Sequence, residues 1–248
     1  VIDAAGKHVS PGFIDIHMHE EDFTLTKKEE YDISDTMLNM GVTTCAVGNC
    51  GNNRQGIVEL HDFIKEKGNP VNYLTYIGHN FLRVEAGNSD IYKKSSKEQI
   101  EKMQKSVSEA IDFGAVGVSY GLEYCPGIDT EEAIAITKEI RGRDDLLLAA
   151  HYRKDAIHAL DSIDEMAHIG KETKIPFQIS HLSSCSAFGN MTEALELIQK
   201  LADSGIDLMV DAYPYDAFST FIGSAVFDDG CLETWNKSYD AIMLTEEP

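Results

Sequence analysis

The chain has 248 residues, of which 43% are hydrophobic, enough for one large domain or two small ones. Its formal net charge of −21 disfavours binding to nucleic acid and to anionic lipid. The longest apolar runs are shorter than a membrane span, and the five scattered cysteines do not form a disulfide framework. We therefore expect a cytoplasmic protein without a signal peptide and without nucleic-acid or membrane partners; the oligomeric state is not indicated.

Predicted strands alternate with predicted helices along most of the chain. Short apolar runs between turn residues predict strands at 13–16, 42–47, 71–77, 116–119, 146–150, 177–180 and 207–210. Helical periodicity predicts helices at 28–40, 57–67, 96–113, 130–140, 156–172 and 191–204. Ser96 and Gln99 have the spacing of a capping box. The pattern stops after Ser219, and we expect residues 221–248 to be irregular.

This alternation is typical of βαβ units around a parallel sheet. Nearly every predicted strand ends in a polar or glycine-containing segment, which favours an α/β fold of the (β/α)8 TIM-barrel type. A doubly wound sheet, the alternative, usually concentrates its chemistry at one switch point. We expect an incomplete barrel, with strands 1–6 and part of the following segment. Residues 1–10 are interpreted as the end of a β-sandwich or a linker, and residues 11–248 as the partial barrel.

Side chains that bind metals follow several predicted strands. His17 and His19 have the two-residue spacing that places both imidazoles on one side of a strand. Cys50 follows the second strand, His151 the fifth and His181 the sixth. Each histidine alone is more often structural, but a thiolate and imidazoles at the same topological place indicate a zinc site. The remaining loop and helix histidines are interpreted as surface residues: His8, His61, His158 and His168.

Six motifs, in a fixed order, cover nearly the whole chain. They are PGFIDIHMH at 11–19, GVTTCAVGNCG at 41–51, GAVGVSYGLEYCPG at 114–127, HYR at 151–153, QISH at 178–181, and DAYPY at 211–215 with Ser219 and Thr220. Together they resemble the D-aminoacylases, or N-acyl-D-amino-acid deacylases, of the amidohydrolase superfamily. The resemblance implies a zinc hydrolase that cleaves the acyl amide of a small anionic N-acyl-D-amino acid. The products are a carboxylate and a free D-amino acid.

The resemblance also implies roles for the candidate ligands. A tightly held zinc ion would be bound by Cys50, His151 and His181, with His17 and His19 at a second, weaker metal position. Cys45 is interpreted as a packing residue inside its strand. Two interpretations of Glu123 stay open, a carboxylate that bridges two metals and a loop residue that faces solvent.

The substrate residues and the catalytic base are less completely specified. By resemblance, the substrate pocket includes Tyr124, Tyr213 and Ser219. Ser183 stands where the family often has a lysine, so Arg153 is a candidate anchor for the substrate carboxylate, or it pairs with a nearby acid. His79 is a further candidate at the end of the third strand. The general base, an aspartate in a Gly-Ser-Asp setting on the eighth strand, is expected beyond Pro248, so the catalytic residue is left unknown. Most of the family's small β-sandwich, at both of its ends, is expected to lie outside this chain.

Two alternatives stay open. One is another amidohydrolase, such as a dihydroorotase-like or dipeptidase-like enzyme, which typically carries a lysine on the fourth strand. The segment 119–125 contains no lysine, which counts against it. The other is a non-catalytic, metal-binding fragment.

Overall fold

A curled parallel sheet forms the centre of the fold. The computed structural model describes residues 2–23, 31–186 and 189–245. Within these ranges the sheet has seven strands, and their spatial order follows the chain. The strands are β1 (Phe13–Asp15), β2 (Val42–Val47), β3 (Asn72–Gly78), β4 (Gly117–Gly121), β5 (Leu147–His151), β6 (Phe177–Ile179) and β7 (Leu208–Val210). All neighbouring strands are parallel, so their carboxyl ends lie at one edge.

Helices connect the strands and cover the outside of the sheet. They are α1 (Asp32–Asn39), α2 (Ile57–Lys67), α3 (His79–Glu85), α4 (Lys97–Phe113), α5 (Thr130–Ala135), α6 (Ala159–Thr173), α7 (Leu182–Ser186), α8 (Met191–Asp203) and α9 (Cys231–Trp235). The predicted bounds of β2 and α2 are confirmed, as is the capping box between Ser96 and Gln99. The first three residues of the helix predicted at 28–40 lie outside the described residues.

The main hydrophobic core lies between the sheet and its helices. Val118, Leu148 and Phe177, from three adjacent strands, are fully buried. They belong to one cluster with Met103 of α4 and Ile163 of α6. Complete burial of a side chain of this size stabilises the fold by about 1.5–3 kcal/mol. This core holds β4, β5 and β6 rigidly, and the candidate ligands extend from strands in this sheet.

One side of the sheet is open. Among the described residues, β1 and β7 form its two edges and are not paired with each other. The inward-facing Ile14, Leu74 and Met209 are exposed. They line a cavity of about 460 Å³. The architecture is therefore the expected partial barrel, and the segment after the sixth strand contributes a strand of its own. No helix in the described part of the chain is both long and apolar enough to cross a bilayer.

The segment from 221 onward is more ordered than the sequence pattern predicts. It contains α9 and two short 3-10 turns, at Ala225–Phe227 and Tyr239–Ala241. Trp235 is buried there in a cluster with Ala156 and Val226. The prediction of an irregular segment was wrong because elements of three to five residues show no periodicity and are stabilised by tertiary contacts instead.

Candidate metal centre

The thiol of Cys50 lies at the centre of the predicted ligands. Its Sγ is 3.4 Å from Nε2 of His17 and 3.7 Å from Nε2 of His181. The ligand atoms of these three residues all lie within 4.8 Å of one another. Bond lengths of about 2.3 Å to sulfur and about 2.05 Å to nitrogen separate two donors of a tetrahedral zinc ion by about 3.6 Å. The two sulfur–nitrogen distances match this separation, so the thiol and the two imidazoles fit a zinc ion.

Cys50 lies in a turn that several buried hydrogen bonds hold in place. The turn follows the end of β2, and Cys50 has a left-handed backbone conformation with φ of 55°. The buried carboxylate of Glu20 accepts hydrogen bonds from the backbone N–H of Gly48 at 3.0 Å and of Arg54 at 2.6 Å. The hydroxyl of Ser119 accepts from Gly51 N at 3.0 Å and donates to Gly48 O at 2.5 Å. These bonds fix the thiol before any ion arrives, which is the preorganisation that a metal site requires.

Close backbone approach explains the glycine that follows Cys50. Gly51 has φ of 76°, and a Cβ built there would lie 2.6 Å from the backbone nitrogen of Gly121. A Cβ on Gly121 would in turn collide with the carbonyl oxygen of Cys50. The turn can therefore pack against the end of β4 only if both positions are glycine.

His17 and His19 reach the site by a different route from the one predicted. β1 ends at Asp15, whose carboxylate accepts a hydrogen bond from His17 N at 2.9 Å. Both histidines therefore follow the strand, and the alternation argument does not apply to them. Their rings are nevertheless 6.1 Å apart between centroids. His19 is also a hydrogen-bond partner of the Cys50 thiol.

His151 is oriented by Glu123. Its Nε2 is 2.8 Å from Oε2 of Glu123, and an ionised carboxylate only accepts, so the proton of a neutral His151 lies on Nε2. No nitrogen or oxygen atom of the described residues is hydrogen-bonded to the buried Nδ1 of His151, which leaves its lone pair available to an ion. Its ring centroid lies 4.6 Å from that of His181. Glu123 is 7% exposed, which contradicts the interpretation of a solvent-facing loop residue.

The surroundings of Cys50 favour the thiolate. Burial alone would raise the pKa of the Cys50 thiol, but hydrogen bonds from His151, His17, His181 and His19 hold that pKa well below its ordinary value. Burial lowers the pKa of His17, but hydrogen bonds to Asp211 and Cys50 raise it to about 10. The thiolate is the ligand state that a zinc site needs, whereas the raised pKa of His17 means that this ring must lose a proton when it binds an ion.

The predicted substrate residues differ in where they lie. Tyr124 packs on the ring of His151 with centroids 4.4 Å apart, so it borders the metal centre. Oγ of Ser183 accepts a hydrogen bond from the backbone N–H of Tyr213 at 3.2 Å, and this contact joins the β6 and β7 loops. Ser219 lies on an exposed segment.

The side chains of Arg153 and His79 are bonded to glutamates outside the proposed substrate pocket. Arg153 donates to both carboxylate oxygens of Glu165, at 2.9 and 2.7 Å, and to a backbone carbonyl, which is the ion-pair alternative. His79 is fully buried at the start of α3, and its Nε2 lies 3.1 Å from Glu132. Its ring faces the core because the chain turns directly from β3 into α3, an element that was not predicted. We leave both residues out of the substrate site.

The sequence analysis did not assign Asp211 to the site. Its carboxylate follows β7 and lies 3.0 Å from Nδ1 of His17. The sequence did contain a feature that could have identified Asp211: it directly follows a predicted strand, which is the position that identified the candidate histidines.

Comparisons with known proteins identify a family and several similar folds. A profile described as the amidohydrolase family matches residues 1–235. An N-acyl-D-aspartate deacylase of Alcaligenes xylosoxydans xylosoxydans is 31% identical over 96% of this chain and 53% of its own. A D-aminoacylase with a binuclear metal centre superposes with a TM-score of 0.70 at 27% identity, over 83% of this chain and 48% of that one. An N-acyl-D-glutamate deacylase of Bordetella bronchiseptica, complexed with zinc and a phosphonate inhibitor, gives a TM-score of 0.72 at 26% identity, over 86% and 49%.

These comparisons confirm the resemblance indicated by the sequence motifs. The chain spans about half the length of the curated relatives it matches.

Proposed function

Because the chain belongs to the amidohydrolase family, we propose that it forms the metal-binding part of a zinc-dependent N-acyl-D-amino-acid deacylase. The reaction is hydrolysis of the acyl amide to a carboxylate and a free D-amino acid. The observation that carries the proposal is the buried Cys50 thiol with His17 and His181 at zinc-compatible distances. The relatives named as D-aminoacylase and N-acyl-D-aspartate deacylase support the substrate class.

Five side chains would hold the metal. Cys50, His151 and His181 form the proposed tight site, and His17 and His19 the second, weaker one. The cluster of His17, Cys50 and His181 contains a histidine from each of the two proposed sites, which supports a thiol shared between them. When bound, zinc supplies Lewis acidity that polarises the scissile carbonyl and activates water.

The chain's own residues would position the substrate. Tyr124 borders His151, and the loop after β7 carries Tyr213 and Ser219, the proposed contacts for the substrate carboxylate. The Ser183–Tyr213 hydrogen bond holds this loop against the end of β6. The general base, an aspartate of the eighth strand, stays a prediction beyond Pro248.

Amine release from paired substrates tests the proposal. The full-length, zinc-loaded protein is assayed with N-acetyl-D- and N-acetyl-L-amino acids that carry acidic, apolar and basic side chains. We expect turnover of D-forms only, lost in Cys50→Ala and kept in the matched control Cys45→Ala, since Cys45 is buried among apolar residues of β2. A zinc-loaded protein that hydrolyses neither enantiomer would contradict the proposed reaction.

A further inference from the structure

The carboxylate of Asp211 connects three strand ends of the metal centre. One oxygen, Oδ2, lies 3.0 Å from Nδ1 of His17 and accepts from Nε2 of Gln178 at 2.5 Å. The other, Oδ1, accepts from the backbone N–H of His181 at 2.5 Å. The Asp211 side chain is 9% exposed, so water offers little competition for these contacts. One carboxylate therefore contacts the β1 loop, the end of β6 and the turn that carries His181.

The contact with His17 determines which of its nitrogens can bind an ion. An ionised carboxylate only accepts hydrogen bonds, so it takes one from Nδ1–H of His17, and the lone pair of the neutral ring then lies on Nε2. Nε2 is the atom that lies 3.4 Å from Sγ of Cys50. A carboxylate behind a ligating histidine fixes the ring orientation and raises its basicity.

The contact with His181 supports a strained backbone. His181 has φ of 37°, in the left-handed region that non-glycine residues seldom occupy. Such a conformation costs about 1–3 kcal/mol and persists only where surrounding contacts hold it. The hydrogen bond from His181 N to Asp211 is one of these contacts, and it helps to keep the imidazole within reach of Cys50.

The contact between Asp211 and His17 joins the two edges of the sheet. β1 and β7 are the two edges of the seven-stranded sheet and are not paired in its described strands. His17 follows β1, so its position relative to the β6 ligand is not fixed by a hydrogen-bonded strand pair. The Asp211 carboxylate spans this open side and joins the two.

We propose that Asp211 is a positioning residue of the metal centre, which holds His17 with Nε2 toward the ion and fixes the turn of His181. The inference rests on the proposed metal site and deepens it, since it assigns a residue that acts through two ligands. Loss of such an outer carboxylate lowers metal affinity by about 10- to 100-fold.

Zinc affinity, measured by competition with a chromophoric chelator, tests the role in the full-length protein. Asp211→Asn keeps the shape of the side chain and removes its charge. Asp207→Asn, just before the same strand, is the matched control. We expect affinity to fall about 10- to 100-fold in Asp211→Asn and to stay unchanged in the control. In a His17→Ala background the Asp211→Asn loss should shrink several-fold, because the two changes remove the same contact.

A second measurement needs no change at Asp211. Nitrogen-15 NMR of the histidines in the zinc-loaded protein, with the signal assigned by its loss in His17→Gln, should report His17 protonated on Nδ1. Protonation on Nε2 alone would overturn the inference. Equal affinity of Asp211→Asn and Asp207→Asn would also overturn it, as would an undiminished loss in the His17→Ala background.

These results separate the inference from the proposed function. A wild-type protein that binds zinc and hydrolyses D-substrates, but tolerates Asp211→Asn, contradicts only the positioning role. A wild-type protein that does not bind zinc contradicts both.

Discussion

Glu132 lies at the centre of a buried polar cluster between α3 and α5, and its replacement by leucine is the most informative test of the core. Its carboxylate accepts hydrogen bonds from His79 Nε2 at 3.1 Å, Ser95 N at 3.2 Å and Ser95 Oγ at 3.0 Å. It also accepts one from Arg83 Nη1. The side chains of Arg83 and Glu132 are 1% and 2% exposed, so water cannot replace a lost partner.

The cost of Glu132→Leu follows from this burial. Leucine has a similar volume, so the main effect is a guanidinium left buried without its counter-charge. Removal of one partner of a buried pair costs about 3–5 kcal/mol. We expect the free energy of unfolding, measured by urea denaturation with far-ultraviolet circular dichroism, to fall by this amount. Asp145→Leu, which breaks the exposed ion pair with Arg143, should change it little.

The pH dependence of this cost gives a second check. Burial alone would raise the pKa of Glu132, but the hydrogen bond from His79 and the charge of Arg83 lower it from 4.5 to about 2. A depressed pKa stabilises the fold fully above the unfolded value and loses its effect as the pH falls through the folded value. The difference between wild type and Glu132→Leu should therefore shrink between about pH 4.5 and pH 2. Equal stability of Glu132→Leu and Asp145→Leu, or a loss of zinc affinity without a loss of stability, would refute this account.

Three further changes address the site. Glu123→Gln weakens the contact that orients His151 and should lower zinc affinity by about 10- to 100-fold, measured by chelator competition; affinity equal to wild type would contradict the role of this contact. Gly51→Ala forces a Cβ toward the nitrogen of Gly121, so zinc binding should be lost in the same assay, and retention would show that the turn can relax. Arg153→Gln should leave KM for N-acyl-D-amino acids unchanged, because its guanidinium is bonded to a carboxylate of α6; a large rise in KM would return it to the substrate site.

Much of the fold follows from local pattern. The seven strands were predicted because each is a short apolar run between turn residues, and this signal needs no knowledge of the partner strands. Helix α3 was not predicted, because Gly78 and His79 have the composition of a strand end and the helix has only seven residues. Helix α9 was not predicted, because it is stabilised by the packing of Trp235 against residues such as Ala156 that are far away in the sequence.

The site was predictable where position along a strand carries the information. Cys50 and His181 follow a strand and His151 is the last residue of one, and parallel strands bring such residues to one edge. The roles of Arg153 and Asp211 depend on partners in other elements, Glu165 in α6 and His17 after β1, which composition does not identify. For Glu123, the sequence left two alternatives, and only the three-dimensional contact with His151 favours a place beside the ligands.

Cobalt titration of the full-length, metal-free protein tests the central claim, a metal centre built on the Cys50 thiolate, most directly. A cobalt–thiolate bond gives a charge-transfer band in the near ultraviolet, so the band reports the sulfur ligand itself. We predict that the band grows to saturation in wild type and in Cys45→Ala and is absent in Cys50→Ala. A band that survives in Cys50→Ala, or that is absent from a wild-type protein with bound cobalt, would contradict the account.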